Sequence, residues 1–380
     1  MSQEPFGDIP LFRELQRLLS GSEGPLNLEI ARQVAAALAA QGATDRNASG
    51  DEMRSYAEAV RNAELLMSGY TRLEVDEPAR SEVINRNRWA SHTIDSWRWL
   101  FEALALRFGR AFGDETQREI EAAGQQAILQ QVVPLLMGLQ VGTLLGHMSQ
   151  EALGRYDLPV PHHDDGRLFL VIGNAEKITE EYGFNPSEFH SWVALREAAY
   201  HLVVSSRPWV PRYLSNALLE LVDSIEIDLA DVERRLMDLQ TKGMEALQGL
   251  RSDDVLPVVQ TDRHRGALAR LQSFVTLLEG YAAHATSEVG EEVIPSVARI
   301  EEGMIRRAAS PSEGKAALTH LLGLSLDRTR ATAGSTFCAA VVKLKGLGAL
   351  NRVWAAADNL PTAEEIRDPF QWIERVIEEQ

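Results

Sequence analysis

Ser187–Ser206, SEFHSWVALREAAYHLVVSS, follows the turn Asn185-Pro186 and contains neither Gly nor Pro. The turn and the acidic Glu188 predict a helix start, and nothing interrupts the helix before Pro208. At a helical period it carries two polar stripes: Trp192, Arg196 and Tyr200 on one, His190, Glu197 and His201 on the other. A Glu next to two positions four residues apart, on an otherwise apolar helix, is the frame of a zinc hydrolase helix, His-Glu-x-x-His. In that helix the two imidazoles grip the metal and the Glu polarises its water. This chain reads Arg196-Glu197-Ala198-Ala199-Tyr200, so both ligand positions are changed. A guanidinium has no acceptor to offer, and a phenol ligates only as phenolate, with a reference pKa near 10 to overcome.

Within this helix the residues allow two arrangements. In the structural one, Trp192, Arg196 and Tyr200 form a cation–π ladder and Glu197 pairs with His201 or with an Arg from another helix. In the functional one, Glu197 and His201 form a metal-free hydrolytic or binding site.

Outward from this helix the chain reads as mainly α, with at most a few short strands. Asn27-Leu28-Glu29 opens a helix through Ala40, after a shorter amphipathic one over Phe12–Leu19. Further helices are expected over Glu52–Leu66, over the aromatic-rich Arg86–Phe112, and over the uncharged Ala122–Gln150. Gly138, Gly142 and Gly146 recur every four residues in the last of these, a strip along which another backbone can approach closely. Leu168–Ile172 is the best strand candidate. A helix over Tyr213–Gln248 and another over Arg265–Thr286 flank a sub-boundary near 251–263, and helices continue to the end of one domain, residues 1–380.

Composition narrows function. The net charge of −17 argues against a nucleic-acid partner, which needs clustered Lys and Arg. The single Cys338 rules out an internal disulfide and fits a reducing compartment. MSQEPFGDIP lacks the basic and apolar segments of a signal peptide, and Gln130, Gln131, Pro134 and Gln140 interrupt the one membrane candidate. A cytoplasmic protein without a membrane span is expected. His162-His163-Asp164-Asp165 has metal-ligand residue types, but adjacent side chains diverge in extended backbone, so a solvated loop is favoured. Glu279 is a lone carboxylate in the apolar Leu277–Tyr281 and reads either as a paired core acid or as a site residue facing the Ser187–Ser206 helix.

In order, Gly24-Pro25-Leu26-Asn27, Leu139–Gly146, Tyr156-Asp157-Leu158-Pro159, Trp192–Glu197 with Pro208-Trp209, Leu278-Glu279-Gly280-Tyr281 with His284, Leu321–Leu324, and Leu360–Ala363 with Asp368-Pro369 resemble the zincin-like metallopeptidase family. Its members are also described as candidate hydrolases or coenzyme-biosynthesis-associated proteins. The resemblance spans nearly the whole chain and implies one largely helical zincin-like domain. Some members carry His-Glu-x-x-His and another branch carries Arg-Glu-Ala-Ala-His; this chain is similar to the second, with Tyr200 at the last position. Only Glu197 carries over as a candidate base. The expectation is a degenerate zinc motif with no cofactor and an unknown small molecule or protein as partner. The competing expectation is a hydrolase whose rearranged site uses Glu197.

Overall fold

Short polar side chains set the helix starts. Asn27 accepts the Ile30 amide at 3.0 Å and opens α1, Leu28–Ala39. Ser49 and Glu52 form a capping box that opens α2, Gly50–Thr71. The computed structural model describes residues 24–41, 45–120, 126–158, 160–162, 166–227, 258–259, 261–310, 312–314, 316 and 328–378. The expected Phe12–Leu19 helix and Leu321–Leu324 lie outside them.

Ser81–Ile84 forms β1, which pairs in parallel with β2, Leu168–Val171, with Ile84 opposite Val171. Each strand runs straight into a helix: β1 into α3, Arg86–Ser96, and β2 into α6, Ile172–Tyr182. Between them lie α4, Arg98–Ile120, and α5, Gln126–Ser149. The aromatic-rich stretch expected as one helix is thus two. The break falls at Trp97, whose buried ring packs against Phe101 and His162. β1 is invisible in sequence because Ser-Glu-Val-Ile is short and half polar; it exists through its pairing with the apolar β2.

The glycine strip of α5 lies along α1. A Cβ on Gly142 would stand 2.6 Å from the Ala31 carbonyl oxygen, and one on Gly138 would stand 2.5 Å from that of Asn27.

Asn185 and Pro186 open α7, Pro186–Ser206, which packs against α2, against β2 and against α9, Asp262–Val293. Phe189, Val193, Leu195, Ala198, Leu202 and Val203 are all buried, so apolar residues surround this helix on every side, as expected of a central helix. α8, Trp209–Asp223, ends at Ser224, so the expected Tyr213–Gln248 helix is broken there; residues 228–248 lie outside the described residues. Ser224 stops it, bonding through its hydroxyl to the Leu221 carbonyl and to His264 Nδ1, and β3, Glu226–Ile227, then pairs with β4, Val258–Val259. α10, Val297–Ala308, follows α9, and α11, Arg328–Lys345, crosses α9 where Gly280 meets Gly334; a Cβ on either would overlap the other helix's backbone. Short helical turns complete the chain, including the capped restart at Thr362. Among the described residues no helix is long and apolar enough to cross a membrane.

Candidate functional site

Glu197 is completely buried, and its carboxylate does not face open space. One oxygen accepts the Arg155 amide at 2.8 Å and the other accepts the Tyr156 amide at 3.0 Å. The preceding amides, Leu153 and Gly154, donate to Asp157 Oδ2, the latter at 2.8 Å. Four successive backbone N–H groups thus converge on two carboxylates, an anion-binding turn filled by the protein's own acids. Trp89 ties it down from outside, its indole N–H donating to the Gly154 carbonyl at 2.8 Å.

Arg196 lies across the two acids. Its Nη1 is 3.1 Å from Asp157 Oδ1 and 4.0 Å from Glu197 Oε1. Its guanidinium lies over the Tyr200 ring, 5.1 Å from the centroid, and Tyr200 stacks in turn on Tyr156 at 5.5 Å. Half of the expected cation–π ladder forms. Trp192 stacks on Phe189 instead, at 5.9 Å and 15°.

Burial and the neighbouring Asp157 push the Glu197 carboxyl up to about 7, against the pull of Arg196 and the two amides. Burial also pushes the Tyr200 phenol well above its ordinary range. His201 goes the other way, to about 4, because burial and then the Arg155 charge disfavour its imidazolium. The expected Glu197–His201 pair is absent: His201 Nδ1 meets Ser205 Oγ at 3.2 Å, and the Glu197 oxygens are held by the 155–156 amides. One helical turn separates the two residues, but the backbone donors outcompete the imidazole for the carboxylate.

A cleft of about 250 Å³ opens beside this assembly. Its wall includes Trp89, Asp157, Trp192, Arg196, Tyr200 and Glu279, and Glu197 is not part of it. Glu279 and Arg196 thus share the cleft, which bears on the site reading of that acid; burial works to lower the Arg196 pKa, and Tyr200, Asp157, Glu197 and, least, Glu279 together hold it above its ordinary value. Of the 162–165 loop, His162 bonds the Arg155 carbonyl at 3.0 Å and Ser96 Oγ at 3.1 Å, so it braces the turn that holds Glu197. His163, Asp164 and Asp165 lie outside the described residues. Cys338 is fully buried. Sequence reasoning assigned no role to Asp157 or to Gly154. The signal available was an acid in Tyr156-Asp157-Leu158-Pro159, flanked by apolar residues.

A zinc ion at the two motif positions does not fit the residues present. Arg196 is a cation already paired with Asp157, and Tyr200 lies under that cation with its phenol held far from ionisation. Among the described residues, no three His, Cys, Asp or Glu side chains form a group suited to a metal ion.

No curated protein matches the sequence. A solved structure from Chloroflexus aurantiacus, described as a candidate hydrolase with a novel fold, is similar: 26% identical, TM-score 0.67, over 92% of this chain and 98% of that one. The family model for zincin-like metallopeptidases matches residues 26–373. With that span running from the helix-capping Asn27 through the buried Glu197 to the last turns, the chain belongs to the zincin-like metallopeptidase family, as one large, mainly helical zincin-like domain.

Proposed function

We propose that this protein is a metal-free member of its hydrolase-like family that works by binding, with the cleft at Arg196 and Tyr200 taking a small molecule or a segment of a partner protein. One observation carries the reading. Glu197, the one motif residue retained, gives both carboxylate oxygens to backbone amides inside the fold, whereas the two residues in the ligand positions line the cleft. A general base must reach the proton it removes, and this carboxylate is shut away from the cleft wall. What the cleft offers instead is aromatic surface at Trp89, Trp192 and Tyr200 with a few fixed charges, the make-up of a recognition site. Metal analysis of protein purified without chelator tests this. The expected zinc content is negligible in wild type and in Glu197→Ala alike. Near-stoichiometric zinc that disappears in Glu197→Ala overturns the proposal.

The pKa near 7 supports a second reading, in which Glu197 serves as the base of a rearranged hydrolase. That reading requires the 153–157 turn to open and expose the carboxylate. An ester and peptide hydrolysis screen decides it: activity in wild type that Glu197→Gln abolishes favours the hydrolase, and no such activity leaves the binding role.

A further inference from the structure

Arg86 is a cation set almost wholly inside the fold, with no carboxylate paired to it among the described residues. It is 3% exposed, and its side chain makes one hydrogen bond, from Nε to Asn174 Oδ1 at 2.7 Å. Among the described residues neither Nη finds an acceptor and no carboxylate pairs with the guanidinium. Asp45 is close in the chain's path, but its two oxygens accept the backbone amides of Arg86 and Asn87. Glu176, one turn into α6, is taken by Arg46, which also holds Glu52. A buried charge without a counter-charge is costly.

The surroundings raise that cost. The parallel pairing of β1 and β2 sets the first turns of α3 and α6 side by side, and Arg86 is the first residue of α3. The N-terminal end of a helix carries positive potential. At α3 that end is answered by Asn85 and Asp45. At α6 no side chain answers it: Val171 offers no cap, and the first amides of a helix have no acceptor within the helix. The guanidinium lies over this same end. A Cβ on Gly173 would stand 3.7 Å from Arg86 Nη2, and the three heavy atoms nearest to it would all belong to the Arg86 guanidinium. Gly173 is only half-buried, so the end of α6 is open to an incoming group.

We propose that the first turn of α6, Gly173 and Asn174, together with the Arg86 fork forms a binding site for a small oxyanion, either free phosphate or the phosphate or carboxylate end of a larger molecule. The anion supplies the negative charge that both the guanidinium and the α6 amides lack. The site is separate from the cleft at Arg196, and no part of the proposal depends on the role of that cleft.

Titration with inorganic phosphate, glycerol phosphate and acetate, each against chloride at matched ionic strength, tests the proposal by calorimetry and by thermal midpoint. Wild type is expected to bind at least one of the three, with a raised midpoint that chloride does not reproduce. A response to glycerol phosphate or acetate beyond that to inorganic phosphate identifies the end of a larger ligand; the reverse identifies free phosphate. Arg86→Gln is expected to weaken binding at least tenfold. Gly173→Asp places a carboxylate at the second position of the helix, so it should raise the midpoint without ligand and abolish the response to added oxyanion. Gly173→Asp also keeps the test decisive if Arg86→Gln fails to fold. No oxyanion response beyond chloride, an unchanged response in Arg86→Gln, or a Gly173→Asp protein that is less stable and still binds would each overturn the assignment.

Discussion

The carboxylate of Glu197 occupies the space that a side chain on Gly154 would need. Gly154 does not have a positive φ, so its backbone is open to any residue; the acid opposite is what excludes a side chain. Gly154→Ala is therefore expected to displace Glu197 from its two amides. The overlap alone costs about 1–3 kcal/mol, and the lost hydrogen bonds to a charged group add to it. Urea melts of the variant read the loss directly; an unchanged midpoint would mean that the turn and the helix are not locked as described.

Two ionisable groups one turn apart on α7 drive stability in opposite directions as pH changes. The folded pKa of Glu197, about 7, lies above its ordinary 4.5, so raising the pH through this window ionises the unfolded chain first and destabilises the fold. The folded pKa of His201, about 4, lies below 6.5, so stability is lost as pH falls from 6.5 to 4. Each shift corresponds to about 3 kcal/mol. Relative to wild type, Glu197→Gln should gain stability as pH rises from 4.5 to 7, and His201→Gln should lose it between 4 and 6.5. A fixed offset from the imperfect acceptor of Gln moves either curve without tilting it. Stability measured at five or six pH values checks the slopes, and parallel curves would refute the burial of either charge.

Arg196 is the cation shared by Asp157 and Glu197, so Arg196→Met leaves two acids facing each other. The expected cost near neutral pH is about 3 kcal/mol, with the Glu197 pKa climbing further. Arg196→Lys keeps the charge and should recover part of that loss. Equal stability of wild type and Arg196→Met at pH 7.5 would show that the pair contributes nothing.

Gly142→Ala reverses the usual sign of a helix substitution. In a helix interior, Ala is ordinarily favoured over Gly by about 1 kcal/mol. Here the new methyl would stand 2.6 Å from the Ala31 carbonyl oxygen, so α1 must move away. A loss of stability is expected, read as a lower thermal midpoint, and a gain would place the α1–α5 contact elsewhere.

Much of this was legible in the chain. Asn27, Asn185 and Thr362 are capping residues whose signatures are local, and the structure uses each as a cap; Ser49 is a cap too, one that the helix expected to start at Glu52 passes over. The spacing of Gly138, Gly142 and Gly146 anticipated a close helix contact. The replaced motif positions were equally plain, because residue type alone disqualifies a guanidinium as a ligand. What could not be read were relationships between distant segments. β1 depends on a partner strand more than eighty residues away, and the partners of Glu197 are amides, which every residue has and no sequence pattern marks. His201 was expected beside Glu197 on helical spacing, which fixes a shared face but not which neighbour wins the hydrogen bond.

The turn from Leu153 to Asp157 has a consequence for the order of assembly. Two of its four amides can be satisfied within the turn, by Asp157, but those of Arg155 and Tyr156 wait for an acid more than forty residues downstream. The segment therefore cannot reach its final shape until α7 has docked, and it cannot relax again unless α7 leaves. Deuterium uptake at those two amides should report opening of the whole molecule, on a far slower clock than a surface loop would keep.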